Sequence, residues 1–544
     1  MIKNYKKTPL ILGFNGSHDG SAALIEGGKI LGTISRERIT RIKKCSDGNN
    51  QLLINQLLLS CSRSLEEIDY VAFCDNYLNP QQAYLLCKDE DGIVRPKSNI
   101  YGELRPDLQT TATFQSLYTE INNQKIPCFF INHHLGHIAY SLFTSKFSKS
   151  ICLSMDGSPA EYALLALASG NKINPQRVND IDVSLVYDWL TYYTLGNPLF
   201  KAGSMMGLSA YGKPSNIIDI KQFTQEHIEL SWRKLTNKDP IKVEYKTEKI
   251  SPTDILTAST LQYLFEKKII NYLNNIPEKI LKNNKYNLCL SGGTFLNCKV
   301  NGLLKDNTKF KNIHIAPASS DDGLSVGAAL YTAHSILNLP RTDHKNRELM
   351  YSGPSYAYSS SIGIAYDEDI IIDLIMKGKV VGLFQGKSEF GPRALGNRSL
   401  LADPRCKQMR DHLNKNIKKR EWFRPFGATV LLNEAKNWFK INSDESPYML
   451  KTYKVIKPKK IPAVTHIDGS SRIQTLDYKT NPKFYSLIKK FYLKTGVPIL
   501  LNTSLNDSNE PIVETPENAI TFFYKSKIDA LILEDRMLLR NNII

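Results

Sequence analysis

The chain has 544 residues, of which 42% are hydrophobic and 23% are charged, and its formal net charge is +17. This length predicts two to four domains with large cores, and the composition is typical of a globular protein rather than a disordered or fibrous one. No apolar run reaches the roughly 18 residues of a membrane-spanning helix. The apolar run after the basic N-terminus is also too short for a signal peptide, so we expect a cytoplasmic protein.

The net positive charge and the spacing of the cysteines indicate which binding partners and which cellular compartment to expect. The 9 cysteines are scattered without a Cys-x-x-Cys pair, which favours reduced thiols over a disulfide framework. An excess of lysine and arginine attracts polyanions, and these include nucleic acids, nucleotides and acyl phosphates. Because the lysines are spread along the chain rather than gathered in a tail, the sequence argues against a nucleic-acid partner.

The first 35 residues predict three strands joined by tight turns, at residues 10–14, 21–25 and 30–34. The first turn is small and polar, so its backbone N–H groups can face an anion. His18 in this turn is either a chemical group near phosphates or a surface histidine. This opening resembles that of the actin and sugar-kinase type of ATPase core. Residues 150–168 repeat the pattern of strand, acidic turn and strand, which predicts a duplicated core.

A pair of histidines follows the next apolar strand, in a segment with helical periodicity that Asn132 can cap. His133 and His137 are four residues apart, so on a helix both side chains leave one face, where two ligands of one metal ion need to be. Asp156 and Asp321 each follow a predicted strand and offer carboxylate ligands. Such a set favours iron or zinc over magnesium. From spacing alone, a structural role for one of the histidines stays open.

The middle of the chain carries weaker signals. The glycine-interrupted stretch 201–212 predicts a loop. Residues 288–297 predict a strand, a glycine turn and a helix whose first N–H groups can hold phosphate, and residues 321–330 predict an acidic loop followed by a tightly packed helix. The segments 78–123 and 215–250 are irregular, and their roles cannot be read from the sequence.

The segment 341–362, rich in Ser, Pro, Gly and Tyr, predicts a linker between domains at residues 1–340 and 363–544. Beyond it, cationic residues lie next to glycine, proline and phenylalanine turns. An isolated arginine of this kind is more often part of a surface salt bridge, whereas several together favour a shared phosphate pocket. The cations in these motifs are Lys387, Arg393, Arg398, Lys418, Lys419, Arg420, Arg424 and Arg472.

Four motifs carry a resemblance to a known family. They are Gly-Pro-Arg-Ala-Leu-Gly-Asn-Arg-Ser, Arg-Glu-x-Phe-Arg-Pro-Phe, Thr-His-x-Asp-Gly-Ser-x-Arg-x-Gln-Thr and Leu-Leu-Asn-Thr-Ser, at residues 391–399, 420–426, 465–475 and 500–504. The chain resembles the O-carbamoyltransferases that include the nodulation-factor, cephamycin and tobramycin enzymes. The resemblance implies an α/β and α+β fold, with an actin-like ATPase (duplicated ribonuclease H-like) core followed by a threonylcarbamoyl-adenylate-synthase-like (YrdC-like) domain.

The resemblance also implies a reaction in two steps. In the C-terminal domain, carbamoyl phosphate and ATP with Mg²⁺ would give carbamoyl-adenylate and diphosphate. The N-terminal domain would then transfer the carbamoyl group to a hydroxyl of a small natural product or sugar and release AMP. Arg472 and Asn502 match positions that stabilise charge in the transfer. The residues that match the binding positions for the two anions are Arg393, Lys418, Arg424, Arg472 and Asn502.

In the N-terminal domain, His18 matches the histidine proposed as general base for the acceptor hydroxyl. The family's metal site implies Fe²⁺ or another divalent metal acting as a Lewis acid, and its ligands match His133, His137, Asp156 and Asp321. Positions near the adenylate match Lys43, Gly292, Gly293 and Asn297. One departure is the sequence at residues 157–161, where many members have a Gly-x-Gly-Glu-type hairpin and this chain has a proline, which allows the acceptor side to differ.

Two other functions compete with this interpretation. A tRNA threonylcarbamoyl-modification enzyme is supported only by the positive charge, and the C-terminal motifs argue against it. An actin-like ATPase with a structural or regulatory role is disfavoured by the retained metal-ligand positions and His18. The sequence does not identify the acceptor, the pathway, the metal in the cell or the oligomeric state, and it allows a homodimer.

Overall fold

The computed structural model describes residues 8–45, 50–74, 118–121, 124–157, 163–177, 183–215, 250–358, 362–443 and 445–540. Most of the two irregular segments, and the part of the departing hairpin from residue 158 onward, lie outside these ranges. The described strands form three sheets. None of the described helices is both long and apolar enough to cross a membrane.

The first sheet begins with the three strands that the sequence predicts, and they are confirmed. Its strands are β1 (Leu10–Asn15), β2 (Ser21–Glu26), β3 (Lys29–Ser35), β4 (Tyr70–Cys74), β5 (Tyr118–Ile121) and β6 (Gln124–Ile131). Their order is β3-β2-β1-β4-β6-β5. β1 to β3 are antiparallel, and β4 and β6 continue the sheet parallel to β1. Nearly all residues of β1 and β2 are buried, because helices or other strands cover both faces.

The second sheet repeats this arrangement. Its strands are β7 (Lys149–Met155), β8 (Ala163–Ser169), β9 (Lys172–Arg177), β10 (Asn287–Ser291) and β11 (Asn312–Ile315). β7 to β9 are antiparallel, and β10 and β11 extend the other side parallel to β7, in the order β11-β10-β7-β8-β9. Apart from β5, which adds an antiparallel edge strand to the first sheet, both sheets have the same strand order and directions, as a duplicated core predicts.

The third sheet is formed entirely by the C-terminal part of the chain. Its strands are β12 (Ile364–Ala365), β13 (Val381–Phe384), β14 (Arg398–Ala402), β15 (Gly427–Leu431), β16 (Thr452–Lys454), β17 (Ser470–Leu476), β18 (Ile499–Ser504), β19 (Ala530–Leu533) and β20 (Arg536–Leu539). The nine strands have the order β12-β20-β19-β13-β14-β18-β15-β17-β16 and mixed directions. The buried residues of this sheet form a hydrophobic cluster of their own.

Helices cover the sheets and connect their strands. Those of the first two sheets and the segment that follows are α1 (Arg36–Thr40), α2 (Asn50–Ser60), α3 (His133–Phe143), α4 (Val183–Leu195), α5 (Pro198–Leu208), α6 (Pro252–Asn274), α7 (Glu278–Asn283), α8 (Cys298–Asn307), α9 (Leu324–Tyr331) and α10 (Asn346–Met350). Those of the third sheet are α11 (Glu368–Met376), α12 (Met409–His412), α13 (Ala435–Trp438), α14 (Pro482–Thr495) and α15 (Pro516–Lys525).

Two glycines set the distance between α3 and α9, which pack against each other between the first two sheets. A Cβ atom added at Gly327 of α9 would lie 1.9 Å from the carbonyl oxygen of Gly136 in α3. No side chain fits into that space, so the backbones of the two helices touch directly. This contact fixes the position of α3, the helix that carries the paired histidines.

Replacing Gly327 with alanine is therefore expected to destabilise the protein by about 1 to 3 kcal/mol, because the added methyl group forces α3 and α9 apart. The free energy of unfolding in guanidinium chloride measures this. Gly203→Ala is a matched control, since Gly203 is an exposed helical residue whose added Cβ would meet only Arg424, at 3.8 Å. Equal stability of the two variants would contradict the close packing.

Two segments differ from the sequence prediction. The stretch predicted as a loop at residues 201–212 lies largely within α5, so that prediction was wrong. Asn197 caps this helix and Pro198 starts it. Gly207 within it allows close packing, since a Cβ there would lie 3.3 Å from Pro425. The predicted linker contains α10 and the buried Tyr351, so its apolar residues pack despite a loop-like composition.

Candidate functional site

Four side chains from distant parts of the chain converge between the first two sheets. His133 and His137 project from one face of α3, one turn apart. Asp156 follows β7 of the second sheet, and Asp321 begins the turn before α9. The predicted helix cap is confirmed, because the side chain of Asn132 accepts a hydrogen bond from a backbone N–H of the first turn. The cap defines where α3 starts and so where His133 points.

The distances within this cluster fit a single metal ion. Its ligand atoms all lie within 4.8 Å of one another. Nε2 of His133 is 3.6 Å from an oxygen of each aspartate, and Nε2 of His137 is 3.1 Å from Asp156 and 3.5 Å from Asp321. Ligands about 2.1 Å from one ion lie about 3.0 to 3.4 Å apart. Both ring nitrogens of His133 are buried without a hydrogen-bond partner among the described residues, and an ion would satisfy Nε2.

The electrostatics of the cluster favour a cation. Burial opposes a charged imidazole at His137, but hydrogen bonds to Asp156 and Asp321 outweigh burial and raise the pKa of His137 to about 9. Burial likewise opposes a charged Asp156, yet the two histidines hold the pKa of that carboxyl well below its usual value. The carboxylates are therefore charged at neutral pH, and a metal ion has to displace the proton of His137 to bind.

The predicted glycine turn after β10 lies directly behind this cluster. The N–H of Gly293 donates to Oδ2 of Asp156 at 3.2 Å, and the N–H of Gly292 donates to the Ser319 carbonyl at 2.7 Å. Gly292 has a φ of 102°, and a Cβ there would lie 2.1 Å from the Met155 carbonyl oxygen. Both N–H groups are thus used by protein acceptors, and the turn orients a metal ligand. Contact of this turn with a nucleotide stays a prediction.

His18 lies in the turn between β1 and β2, at the edge of a large cavity. Its side chain is 37% exposed, and its Nε2 is 3.7 Å from Oδ2 of Asp19, to which Lys44 also donates at 2.5 Å. The turn is attached to the metal-ligand cluster, because Ser17 donates to Oδ2 of Asp321 at 3.2 Å. An accessible imidazole therefore lies beside the cluster, with a carboxylate next to it.

The third sheet and its loops place a group of cations around the same cavity. Those that line it are the predicted Arg393, Lys418, Arg424 and Arg472, and also Arg420. Burial and the nearby charge of Arg472 lower the pKa of Arg393 to about 9. Arg424 is 3.6 Å from Glu421, the one acidic ion-pair partner of this group in the described part of the chain. Lys418 is buried and the four arginines are partly buried, and cations in such positions with so few acidic partners favour a polyanionic ligand.

Arg472 and Asn502 lie opposite the same residue of a central strand. Arg472 on β17 and Asn502 on β18 are both in register with Gly427 on β15, between them. Residues paired in this way project from the same face of a sheet, and Gly427 has no side chain to fill the space. Nε of Arg472 and Oδ1 of Asn502 are buried and unpaired among the described residues. A ligand with an acceptor and a donor would satisfy both.

The other predicted residues of this region have protein partners. Nζ of Lys418 donates to the carbonyl oxygens of Ser504 and Asn506 at 2.7 and 2.8 Å. Lys43, from the N-terminal half, donates to the carbonyl of Ser508 at 2.5 Å. Both lysines thus hold one loop of the C-terminal half and add positive charge beside it. The predicted Asn297 exchanges two hydrogen bonds with a glutamine of α6.

One cavity of about 1640 Å³ joins the two groups of residues. This exceeds the volume of pockets that hold a single drug-sized ligand, about 300 to 1,000 Å³. Of the predicted residues, His133, His137 and Gly292 lie outside its lining. The others line it, and they are His18, Lys43, Asp156, Gly293, Asn297, Asp321, Arg393, Lys418, Arg424, Arg472 and Asn502. The chain thus brings residues predicted for two separate steps to one space.

Sequence reasoning missed Asp188 of the cavity, and it named Arg420 only as one of the cations that follow the predicted linker. Arg420 is packed over the ring of Phe426, with its guanidinium 4.5 Å from the centroid. Asp188 on α4 also lines the cavity, and a Cβ at Gly157 would lie 2.4 Å from its Oδ2. Burial and the charge of Asp156 raise the pKa of Asp188 to about 7. A single acid within a helix has no local signal that marks it.

Comparison with known proteins gives matches along most of the chain. The family model of the carbamoyltransferase N-terminus matches residues 10–330, and that of the carbamoyltransferase C-terminus matches residues 372–540. The uncharacterized protein sll1178 of Synechocystis sp. is 33% identical over 96% of this chain and 95% of its own length. Nodulation protein NolNO of Sinorhizobium fredii is 32% identical over 95% and 78%. The 3'-hydroxymethylcephem-O-carbamoyltransferase of Amycolatopsis lactamdurans is 31% identical over 63% and 66%.

Proposed function

The chain belongs to the carbamoyltransferase family, and from this premise we propose that it is an ATP-dependent O-carbamoyltransferase that works through carbamoyl-adenylate. As a member of that family it is a transferase enzyme. We assign residues 363–544 to adenylate formation, in a domain similar to threonylcarbamoyl-adenylate synthase, and residues 1–340 to transfer. The acceptor in this proposal is a hydroxyl group of a small natural product or sugar.

The single cavity between two different centres is the observation that carries this proposal. The cations that line it suit ATP and carbamoyl phosphate, because a guanidinium group binds a phosphate group through two parallel hydrogen bonds. It is also lined by the aspartates of the metal-ligand cluster and by the accessible imidazole of His18. Carbamoyl-adenylate is a mixed anhydride that water hydrolyses, so passage inside one cavity protects it from loss.

In the first step, the carbamoyl–phosphate bond is cleaved by water, and the resulting carbamate attacks the α-phosphorus of ATP. Diphosphate leaves, so the balanced products are carbamoyl-adenylate, phosphate and diphosphate. Arg393, Lys418 and Arg424 supply positive charge for the phosphates, and Mg²⁺ accompanies ATP. The unpaired atoms of Arg472 and Asn502 are suited to hold the small carbamate group and to stabilise charge during attack.

In the second step, the acceptor hydroxyl attacks the carbamoyl carbon and AMP leaves. His18 accepts the hydroxyl proton as general base, because its imidazole is accessible from the cavity. Lys43 and Asn297 contact the adenylate in this proposal. A bound divalent ion such as Fe²⁺ supplies Lewis-acid polarisation of a carbonyl, and the residues that would hold it are His133, His137, Asp156 and Asp321.

The proposal is tested by measuring diphosphate and phosphate release from ATP by the purified protein, with and without carbamoyl phosphate and without any acceptor. We expect release that depends on carbamoyl phosphate, with equal amounts of the two products. Threonine with bicarbonate serves as the comparison donor. If this pair supports release and carbamoyl phosphate does not, the protein forms threonylcarbamoyl-adenylate instead.

Replacing His18 with asparagine is expected to separate the two steps. Diphosphate release should stay within about twofold of the wild-type value, because the turn of His18 is attached to the metal-ligand cluster through Ser17 and Asp321 rather than to the phosphate-site cations. Carbamoyl transfer should fall by about a hundredfold or more, the usual contribution of a general base. Hydroxylated acceptors found by screening with wild-type protein provide the transfer assay. A variant that transfers at the wild-type rate would remove His18 from the mechanism.

A further inference from the structure

The segment Arg36–Lys44 of the N-terminal half lies between the two centres, and we call it the connecting segment. It contains α1 and the turn after it. Arg41 ends the helix in the left-handed region, at a φ of 61°, and this sharp reversal directs the following residues along the cavity wall. Across from them, the cavity is lined by a loop of the C-terminal half, residues 505–513. A hydrogen bond of 3.0 Å from the N–H of Val513 to the Leu505 carbonyl closes this loop.

The 505–513 loop determines where Lys418 lies. Nζ of Lys418 donates to the carbonyl and to Oδ1 of Asn506, at 2.8 and 2.7 Å. The N–H of Ser508 donates back to the Lys418 carbonyl at 3.0 Å, and Nδ2 of Asn506 donates to the Glu510 carbonyl at 2.7 Å. Nζ of Lys418 also donates to the carbonyl and Oγ of Ser504, at the end of β18. The loop thus supplies two of the four acceptors that hold the ammonium group, and a change in the loop weakens its positioning among the phosphate-site cations.

The connecting segment holds this loop from the opposite side. Nη1 and Nη2 of Arg41 donate to the carbonyl oxygens of Ile512 and Pro511 at 2.7 and 2.8 Å. A guanidinium group can serve two adjacent acceptors at once because its donors form a rigid fork. Lys43 adds a third contact, to the Ser508 carbonyl at 2.5 Å. The loop of the C-terminal half is thus fixed by side chains of the N-terminal half.

The connecting segment is also attached to the turn that carries His18. Lys44 donates to Asp19, the neighbour of His18, at 2.5 Å, and Nη1 of Arg36 donates to the Gly16 carbonyl at 3.2 Å. One short stretch of chain therefore contacts residues of both centres. Among the described residues, Arg41 donates two hydrogen bonds to the loop and none to the turn that carries His18. A substitution of Arg41 therefore tests the C-terminal centre alone.

We propose that Arg41 is a positioning residue for the adenylate-forming centre, supplied by the N-terminal half across the cavity. This inference rests on the proposed function. Without the guanidinium group, the carbonyls of Pro511 and Ile512 lose their donors, the loop leaves its present conformation, and Lys418 no longer stands beside the phosphates. Adenylate formation would then require the N-terminal half, even though transfer is the step assigned to that half.

The test compares Arg41→Met, which keeps most of the aliphatic stem, with Arg41→Lys and the control Arg63→Met. Arg63 is a partly exposed arginine with two carboxylate partners, Glu26 and Glu67, and it is absent from the cavity lining. We expect Arg41→Met to lower kcat for carbamoyl-phosphate-dependent diphosphate release by roughly tenfold or more, since small displacements of a binding group have large effects on rate. Arg41→Lys should recover part of the rate, and Arg63→Met should resemble the wild type.

Hydrogen exchange gives a second measurement that does not depend on activity. Backbone N–H groups of residues 505–514 should exchange faster in Arg41→Met than in the wild type and in Arg63→Met, with the thermal midpoint unchanged. Wild-type exchange of these residues in Arg41→Met would overturn the inference, as would an unchanged kcat. If the wild-type protein releases no diphosphate, the proposed function fails, and the exchange comparison still decides whether Arg41 holds the loop.

Discussion

Replacing His133 with alanine is expected to remove the bound metal and to lower carbamoyl transfer by roughly a thousandfold or more, while diphosphate release continues. Lewis-acid stabilisation by a metal ion contributes several kcal/mol to a transition state, and about 1.4 kcal/mol corresponds to a factor of ten in rate. The ring nitrogens of His133 are buried and unpaired among the described residues. Loss of this ring leaves three of the four ligands, so the affinity for the ion falls and we expect the ion to be lost on dialysis against a chelator. Metal content by elemental analysis and transfer rates measure the two effects.

His134→Gln is the matched control for this experiment. His134 lies on the same helix and is equally buried, but its Nδ1 pairs with Oγ of Ser154 at 2.8 Å, outside the metal-ligand cluster. We expect this variant to keep its metal, so a loss confined to His133→Ala reflects ligation rather than damage to α3. If His133→Ala retains full metal content and transfers at the wild-type rate, the assignment of the cluster is wrong.

Replacing Arg472 with alanine is expected to lower carbamoyl-phosphate-dependent diphosphate release by about a hundredfold to a thousandfold, the usual effect of removing one donor that stabilises developing charge. Arg472 and Asn502 flank Gly427 on the same face of the sheet, and each has a buried, unpaired polar atom among the described residues. The side chain has no acidic ion-pair partner in the described ranges, so its charge is available to the reacting group. Coupled detection of diphosphate provides the assay.

Arg405→Ala is the control in the same half of the chain. Arg405 forms an ion pair with Asp403 at 2.7 Å and is absent from the cavity lining. Its loss removes a similar charge without affecting the phosphate site, and we expect diphosphate release near the wild-type rate. Unchanged release in Arg472→Ala would mean that the C-terminal centre has been assigned to the wrong residues.

Short-range patterns in the sequence were sufficient to predict many of the strands and helices. The three opening strands follow from alternating apolar runs and glycine turns, and the cap at Asn132 and the helix with His133 and His137 follow from local rules of helix formation. These predictions held because each depends on residues within one or two turns of chain. The same rules gave a wrong loop at residues 201–212, since Gly207 packs against Pro425, which is distant in the sequence.

Candidate residues could be named from motifs, but their partners could not. The sequence predicted the cations at Arg393, Arg424 and Arg472 as a set, and family resemblance assigned them to a phosphate site. The sequence did not indicate that the ammonium of Lys418 donates to a loop of the protein. Nor did it indicate that Arg41, from the N-terminal half, donates a hydrogen bond to the same loop. Asp188 was missed for the same reason, because its significance comes from its neighbour Asp156 and from the cavity wall.

The sequence by itself determined many of the helices and strands, the family and the candidate residues of both centres. Only the tertiary structure decided that residues assigned to two separate steps face one space, and that the connecting segment contacts residues of both centres. The physical reason is that strand and helix signals arise from neighbours along the chain, whereas the spacing of His133 from Asp321 or of Arg41 from Pro511 is set by sheet order and by helix contacts such as that between Gly136 and Gly327.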